Sequence, residues 1–536
     1  MQPLCPVVRM NTSPARSIDC NAPAAWPQSS FRMTDSPSPT GRVFLVGAGP
    51  GDPGYLTLRG SECLAQADVV LYDYLVNPAI LKHARPDASL ICLGKHGHTR
   101  IWSQEEINAE LIKLARQGQR VARLKSGDPM IFARASEELQ ALTSAGIPFE
   151  IVPGVTTAVA AGSCAGIPLT HRDFASAVAL ITGHEDGGKE ETALDYHALA
   201  RFPGTLVFYM GVTTVREWTA ELIAAGKSPA TPTAIVRRCS FPDQQTLHCR
   251  LDEVVQRMTE PEKLRPPVIV VVGEVTRLAP QYSWFEQRPL FGQRIVVTRP
   301  LEQCESLAGP LRELGAEVLV QPAIRVGPPD DWSPVDAALS RLADFDWLVF
   351  SSSNGVRMLL DRLPAIGRDL RALGGIRLAV IGPGTAEELA RYHLRADAMP
   401  DEYRAESLAE ILKDEGKRFL LVRASRGREV LAEELTAAGG HVEQVVVYQS
   451  DDVTQPDERI AELLSQGKID WITVTSSAIA RSLVQLFGDD LRKTRLASIS
   501  PITTATLKEL GYSLAAEATE YTMPGVVAAI LACNER

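Results

Sequence analysis

The chain has 536 residues, of which 45% are hydrophobic and 22% charged, so its composition is that of a globular protein too long for one hydrophobic core. The formal net charge of −10 argues against general nucleic-acid binding, and no apolar run approaches the length of a membrane span. The nine cysteines are scattered without a Cys-x-x-Cys or Cys/His cluster. We therefore expect three or four domains, reduced thiols, no metal site and a cytoplasmic protein.

Residues 1–41 are rich in Pro, Ser, Ala and Asn and show no hydrophobic periodicity. This composition predicts a disordered leader. Arginines without many acids are also typical of transit peptides, but no helical pattern accompanies them, and Met33 is an alternative start.

Strands and helices alternate from residue 43 onward, which predicts α/β architecture. Ser103 and Glu106 form a capping-box pattern that begins a helix ending near Gln117. Apolar runs predict strands at 43–47, 68–72, 89–93 and 120–124. Further strands are predicted to end at Gly183, Met210-Gly211 and Gly273.

The first strand runs into the Gly/Pro-rich turn at 49–54, and a helix-like pattern follows. Strand, tight loop and helix in this order are typical of a site where a helix N-terminus meets a small ligand. The turn matches G-x-G-x-x-G, and Asp73 ends the next apolar run where a ribose-binding acid would lie. However, Pro50 and Pro53 lack the N–H groups that cradle a pyrophosphate. A cofactor without phosphates suits the turn better; a dinucleotide oxidoreductase and a turn without a ligand remain as alternatives.

The C-terminal half contains an internal duplication. Residues 294–318 align without gaps with 418–442, and the same offset aligns 346–360 with 470–484. Two such units predict two similar α/β domains. Each unit places Ser, Thr and Gly at strand ends ahead of a helix, where free N–H groups attract carboxylates. A linker is predicted at 282–291.

The N-terminal half resembles the uroporphyrinogen-III C-methyltransferases through seven motifs in order: VGAGPGDPGYLTL, VVLYDYLV, LGKHG, RLKSGDPMIF, PGVTTAVA, GIPLTHRD and LVFYMG. This resemblance implies two α/β subdomains over 42–281, with a break near 155–175 and S-adenosylmethionine bound between them. The chain departs from the family pattern at Ser126, which is usually Gly, and at Cys239-Ser240, where a Gly-Thr pair is usual. The cofactor contacts implied by the resemblance are Pro50, Ser126, Gly127, Asp128, Ile131, Thr156, Thr157 and Met210.

Methylating a pyrrole carbon leaves an iminium-like ring that must lose a proton, so a nearby base is useful. The family assigns proton-accepting and proton-donating roles to the positions of Asp73 and Lys95. A structural ion pair between these two residues is the alternative. His171 and Arg172 either orient substrate carboxylates or cap a loop. The sulfonium of the methyl donor requires no metal.

Residues 292–530 resemble uroporphyrinogen-III synthase through VVTRP, FSSSNGV, VTSSAIA, VVVYQS and SPITTATLKELG. The family has two domains joined by a two-stranded hinge. By resemblance, domain one is 292–327 plus 449–530 and domain two is 328–448, within a synthase region of 292–536. The duplication alone also fits a sequential pairing of the two units.

The synthase substrate, hydroxymethylbilane, is a linear tetrapyrrole with eight carboxylates. Tyr448, next to the predicted hinge, is the candidate to help its terminal hydroxyl leave, and packing in the hinge is the alternative role. The candidates for binding the carboxylates are Arg299, Ser352, Arg423, Ser476 and Thr503, with Arg426 and Arg428 beside them, and we expect half of the arginines to be merely solvated.

The two resemblances imply a bifunctional enzyme of the sirohaem and cobalamin branch. Its C-terminal half is expected to convert hydroxymethylbilane to uroporphyrinogen III, and its N-terminal half to methylate that product twice, giving precorrin-2. The alternative is a methyltransferase with a non-catalytic tetrapyrrole-binding or regulatory C-terminal half. A trifunctional sirohaem synthase is disfavoured because the leader is too short for a further module. We expect no nucleic-acid or membrane partner, and a homodimer through the methyltransferase half is allowed.

Overall fold

The computed structural model describes residues 41–94, 101–184, 192–261, 263–413, 416–427 and 429–534. The predicted leader up to residue 40, Lys95 and Arg428 lie outside the described residues.

The N-terminal half begins with a five-stranded parallel sheet in the order β3-β2-β4-β1-β5. Buried apolar side chains cover both faces, as parallel sheets require. The predicted strands are confirmed, and so is the capping box, because Ser103 Oγ accepts from Glu106 N and a Glu106 carboxylate oxygen accepts from Ser103 N. The elements are β1 (Arg42–Gly47), α1 (Leu58–Gln66), β2 (Val69–Tyr72), β3 (Ser89–Cys92), α2 (Gln104–Arg116), β4 (Arg120–Lys125), α3 (Ala135–Ser144) and β5 (Phe149–Val152).

The second sheet of this half is mixed, with the order β6-β7-β10-β8-β9. Only β6 and β7 pair in parallel, while β10 runs antiparallel to both of its neighbours. The strands predicted before Gly183, Met210 and Gly273 are confirmed, whereas β8 and β9 were not predicted. The elements are α4 (Thr157–Ala165), β6 (Val178–Thr182), α5 (Tyr196–Ala200), β7 (Thr205–Tyr209), α6 (Val215–Ala224), β8 (Pro232–Arg237), β9 (Gln245–Arg250), α7 (Val254–Thr259), β10 (Val268–Val272) and α8 (Ala279–Tyr282).

The C-terminal half contains ten strands and ten helices among its described residues. The strands are β11 (Arg294–Val297), β12 (Glu317–Val320), β13 (Ile324–Gly327), β14 (Trp347–Phe350), β15 (Arg377–Val380), β16 (Arg418–Ala424), β17 (His441–Asp452), β18 (Trp471–Val474), β19 (Arg495–Ser498) and β20 (Ala516–Glu517). The helices are α9 (Glu305–Glu313), α10 (Ser333–Ser340), α11 (Ser353–Ala365), α12 (Pro383–Arg391), α13 (Ala405–Leu412), α14 (Val430–Ala437), α15 (Glu458–Ser465), α16 (Ser477–Phe487), α17 (Pro501–Glu509) and α18 (Met523–Asn534).

These strands form two sheets whose members interleave along the chain. One is parallel, in the order β12-β11-β18-β19-β20, and the other has the order β13-β17-β16-β14-β15. In the second sheet β13 pairs antiparallel with the end of β17, at Gln449–Asp452. The chain therefore passes between the two sheets twice, through adjacent antiparallel segments.

The predicted linker at 282–291 packs against both halves. Phe285 is buried in the core beneath the second sheet, and Leu290 is buried in the core that includes Ile295 and Leu311. This segment therefore contributes side chains to two hydrophobic cores.

Within the described ranges, no helix combines the length and apolar character needed to cross a membrane.

Candidate functional site

The two Gly-Asp-Pro loops lie face to face. They follow β1 and β4, which are parallel neighbours, so both loops leave the same edge of the sheet. Gly49 N donates to Gly127 O at 3.2 Å, and Gly127 N donates to Gly49 O at 2.7 Å. Both glycines have positive φ, 75° and 71°, a conformation that side chains disfavour. The predicted contact Pro50 is buried in the first loop.

Asp128 ties the second loop to the start of α4. One carboxylate oxygen accepts from Met130 N at 2.8 Å and the other from Gly154 N at 2.9 Å. A β-carbon at Gly47 would lie 2.5 Å from Gly154 Cα, so these loops meet backbone to backbone. Ser126 and Ile131, on either side of the Gly-Asp-Pro sequence, remain partly exposed.

Thr156 and Thr157 begin α4, beside Tyr209. Thr156 Oγ1 lies 2.7 Å from the Tyr209 hydroxyl, which also accepts from Ala158 N at 2.9 Å. Burial raises the pKa of Tyr209, so this hydroxyl keeps its proton. The sequence did not predict a role for Tyr209, although this residue lies in the LVFYMG motif. The next residue, Met210, has a φ of 54° and is 48% exposed, so its side chain is available to a ligand.

Asp73 is the exposed end of a buried charge network. Its carboxylate lies 2.7 Å from a guanidinium nitrogen of Arg123, whose Nε bonds Glu138 at 3.0 Å. Lys125 Nζ bonds the same Glu138 oxygen at 2.7 Å. The side chains of Arg123, Lys125 and Glu138 are at most 3% exposed, against 31% for Asp73. Burial, together with Arg123, lowers the pKa of Lys125.

The observed ion-pair partner of Asp73 is therefore Arg123. Its predicted neighbour, Lys95, lies outside the described residues. Arg123 lies in the RLKSGDPMIF motif, but the sequence alone indicates no role for it and does not point to Glu138.

His171 is engaged in its own turn. Its backbone exchanges two hydrogen bonds with Ala175, and its Nδ1 accepts from Asp173 N at 3.1 Å. Its ring stacks on Phe174 at 4.8 Å. This is the loop-capping arrangement that was the alternative to substrate binding, and Arg172 is exposed at the same turn.

In the C-terminal half the predicted hydroxyl residues lie at helix N-termini. Ser352 Oγ accepts from Gly355 N ahead of α11, and Ser476 Oγ accepts from Ile479 N ahead of α16. Thr503 lies in the first turn of α17 and is 2% exposed. The Tyr448 hydroxyl lies 3.0 Å from Ser352 Oγ, so the structure brings these two candidates together.

The three candidate arginines that the structure describes already have partners within the protein. Arg299 donates to Gln303 at 2.8 Å, although its Nε is buried without a hydrogen-bond partner among the described residues. Arg423 pairs with Glu429 at 2.7 Å, and Arg426 pairs with Asp452 at 2.8 Å.

A bridge missed by the sequence analysis extends from Arg299. Gln303, its partner, donates to Asn354 in α11 at 2.6 Å and so links the two sheets of this half. Asn354 lies in the FSSSNGV motif, whereas nothing in the sequence points to Gln303.

Both halves match known families. Residues 42–255 match the tetrapyrrole (corrin/porphyrin) methylases, and residues 305–528 match uroporphyrinogen-III synthase HemD. The porphyrin biosynthesis protein HemD of Ruminiclostridium josui is 35% identical over 492 residues, which cover 91% of this chain and 95% of that protein. The uroporphyrinogen-III C-methyltransferase of Bacillus subtilis is 39% identical over 62% of this chain and 68% of that protein.

One solved structure, the uroporphyrin-III C-methyl transferase of Thermus thermophilus complexed with S-adenosyl homocysteine, is 43% identical. The match covers 44% of this chain and 100% of the solved chain, with a TM-score of 0.39. The two family resemblances and the α/β fold class are confirmed. This chain belongs to the HemD family of porphyrin biosynthesis proteins and is a bifunctional enzyme, with a tetrapyrrole methylase domain followed by a uroporphyrinogen-III synthase domain.

Proposed function

We propose that the C-terminal half closes hydroxymethylbilane to uroporphyrinogen III, with inversion of the last ring. The N-terminal half then methylates this product twice with S-adenosylmethionine and gives precorrin-2. The observation that carries the proposal is the pairing of the two Gly-Asp-Pro loops through Gly49 and Gly127 at one sheet edge. Such an edge is where open α/β sheets bind their ligands.

The residues of these loops fit a cationic donor without phosphates. The segments 49–54 and 126–131 contain two aspartates and no Lys or Arg, so they cannot neutralise a pyrophosphate. Pro50 and Pro53 also remove two backbone donors. S-adenosylmethionine supplies its methyl group from a positively charged sulfonium, which this acidic surface suits. We assign its binding to Pro50, Ser126, Gly127, Asp128, Ile131, Thr156, Thr157 and Met210.

Asp73 is our candidate for the base that takes the proton from the methylated ring. Its carboxylate is held by Arg123 yet remains 31% exposed, as a group that must reach a substrate requires. Lys95 is the proposed proton donor. His171 and Arg172 are the proposed contacts for substrate carboxylates, with the exposed Arg172 better placed to serve than the engaged His171.

The task of the synthase half is to position its substrate, because hydroxymethylbilane also closes without an enzyme. The helix N-termini capped by Ser352 and Ser476, and the first turn of α17 at Thr503, are proposed to present N–H groups to carboxylates. Arg299 and Arg423 are the proposed cationic contacts. Tyr448, held beside Ser352, is proposed to donate a hydrogen bond to the departing hydroxyl.

The proposal includes three further points. The domain borders within the synthase half are 292–327 plus 449–530 and 328–448, and the linker is 282–291. Methyl transfer from a sulfonium needs no metal. The protein works in the cytoplasm, with a homodimer through the N-terminal half, where Leu58 and Val159 leave apolar side chains exposed.

The test is to give purified protein hydroxymethylbilane with and without S-adenosylmethionine and to identify the products by mass and isomer. We expect uroporphyrinogen III without the methyl donor and precorrin-2 with it. Formation of isomer I alone would show that the C-terminal half is not a synthase and favour the non-catalytic alternative. Tight dinucleotide binding without any response to the methyl donor would contradict the assignment of the N-terminal half.

A further inference from the structure

A chain of hydrogen bonds connects the segment between the two halves with the first Gly-Asp-Pro loop. Asp52 N donates to Ser240 Oγ at 3.0 Å, and Ser240 N donates to the side-chain oxygen of Gln244 at 2.9 Å. Gln244 Nε2 in turn donates to a carboxylate oxygen of Glu286 at 2.9 Å. Thr246 Oγ1 donates to the same oxygen at 2.5 Å. Glu286 is thus connected to the loop backbone through two intervening residues.

The two middle residues of this hydrogen-bond chain are buried, and one of them has a strained backbone conformation. Ser240 and Gln244 are each 2% exposed, and Ser240 has a φ of 62°, which is unusual for a residue with a side chain. Such a conformation persists only where the surroundings determine it. The Gln244 side chain supplies part of that constraint, and Glu286 keeps the Gln244 amide oriented by accepting from its nitrogen.

Glu286, at the outer end of the hydrogen-bond chain, lies between two residues that are buried in different cores. Phe285 is buried in the core of the N-terminal half and Leu290 in a core of the C-terminal half. Gly292 N also donates to Pro242 O at 3.2 Å. Beside Asp52, a β-carbon at Gly51 would overlap the ring of Phe241, so the loop and the segment after Ser240 are in close contact.

We propose that Glu286 is a positioning residue for methyl-donor binding, which acts through Gln244 and Ser240 on the backbone of Asp52. This inference rests on the proposed function of the first Gly-Asp-Pro loop. Glu286 belongs to the segment between the halves, so that segment is part of the framework of the methyltransferase site and not only a connection. Removing the acceptor leaves the buried Gln244 amide nitrogen with only its longer bond to Thr246 Oγ1, at 3.3 Å among the described residues, so the loop backbone is held less firmly.

The test is calorimetry of S-adenosyl homocysteine binding to the full chain, together with methyl-transfer kinetics. We expect Glu286→Ala to weaken binding about 3- to 10-fold, the range for the net contribution of one hydrogen bond. The KM for the methyl donor should rise while kcat at saturation stays unchanged, because Glu286 touches no reacting group. Glu286→Gln keeps an acceptor oxygen and should restore wild-type affinity. Glu274→Ala is the matched control, because this exposed glutamate pairs locally with Arg277 and should change nothing.

A second variant keeps the inference testable if Glu286→Ala unfolds. Ser240→Gly removes the hydroxyl that Asp52 N uses, and glycine tolerates a φ of 62° without strain. It should weaken binding similarly, and adding Glu286→Ala should then have little further effect. A folded Glu286→Ala protein with wild-type affinity would overturn the inference. Absence of binding by the wild-type chain would overturn the proposed function itself, and this inference with it.

Discussion

Asp68 and Asp73 flank the same strand, β2, and offer a matched pair of substitutions. Each carboxylate is 31% exposed and paired with arginine: Asp68 with Arg85 at 2.9 Å and Arg120 at 3.2 Å, and Asp73 with Arg123 at 2.7 Å. The two aspartates lie at opposite edges of the first sheet, and only Asp73 lies at the edge that bears the paired Gly-Asp-Pro loops. Replacing each by Asn therefore separates the structural part of an ion pair from a catalytic role.

The expected magnitudes follow from these contacts. A hydrogen bond between charged groups contributes about 1.5–3 kcal/mol, and partial exposure reduces this to about 1–2 kcal/mol for either aspartate. Asp73→Asn also leaves Arg123 and Lys125 sharing one buried carboxylate, Glu138, which places its cost at the upper end. Loss of a general base should slow methyl transfer by about 10²-fold in Asp73→Asn alone.

The assays are urea unfolding of both variants and single-turnover transfer of a labelled methyl group. We expect both variants to lose stability and only Asp73→Asn to lose rate, with S-adenosyl homocysteine affinity little changed because proton removal plays no part in binding. A stable Asp73→Asn protein that transfers methyl groups as fast as Asp68→Asn would refute the catalytic role and leave Asp73 as the exposed end of a structural network.

Two other predictions concern the synthase half and the response to pH. Tyr448→Phe should fold normally and close hydroxymethylbilane about 10- to 100-fold more slowly, the scale for one lost hydrogen bond of about 1–3 kcal/mol. Its product should contain more isomer I, and an unchanged rate and isomer ratio would remove Tyr448 from the mechanism. Side-chain hydrogen bonds from Arg59 hold the pKa of Glu150 below its ordinary value of 4.5. A carboxylate whose pKa is lowered in the folded state stabilises the folded protein at pH values above its ordinary pKa, and this stabilisation is lost as the pH falls through the lowered pKa. The stability difference between the wild type and Glu150→Gln should therefore be present at pH 7 and shrink below about pH 4.5. Urea unfolding across this range checks the sign, and a difference independent of pH would contradict it.

Several features of this protein follow from the sequence alone because they depend on neighbours a few residues away. The apolar runs at 43–47 and 120–124 form strands, because short apolar runs bounded by turn residues are typical of strands that are buried on both faces. Ser103 and Glu106 begin a helix because their side chains and backbones satisfy each other within one turn. The turn at 49–54 likewise disfavours a phosphate cradle, because its two prolines lack backbone N–H donors.

Only the tertiary structure decided which distant residues meet. The partner of Asp73 is Arg123 because β2 and β4 are neighbours, and strand order is not encoded in the periodicity of either strand. The antiparallel placement of β10 and the pairing of β8 with β9 depend in the same way on contacts across the sheet. Glu286 is linked to the first Gly-Asp-Pro loop by hydrogen bonds through Gln244 and Ser240, which are distant from it in the sequence. A local pattern determines whether a segment forms a strand or helix, but long-range packing determines which side chains that element brings to a site.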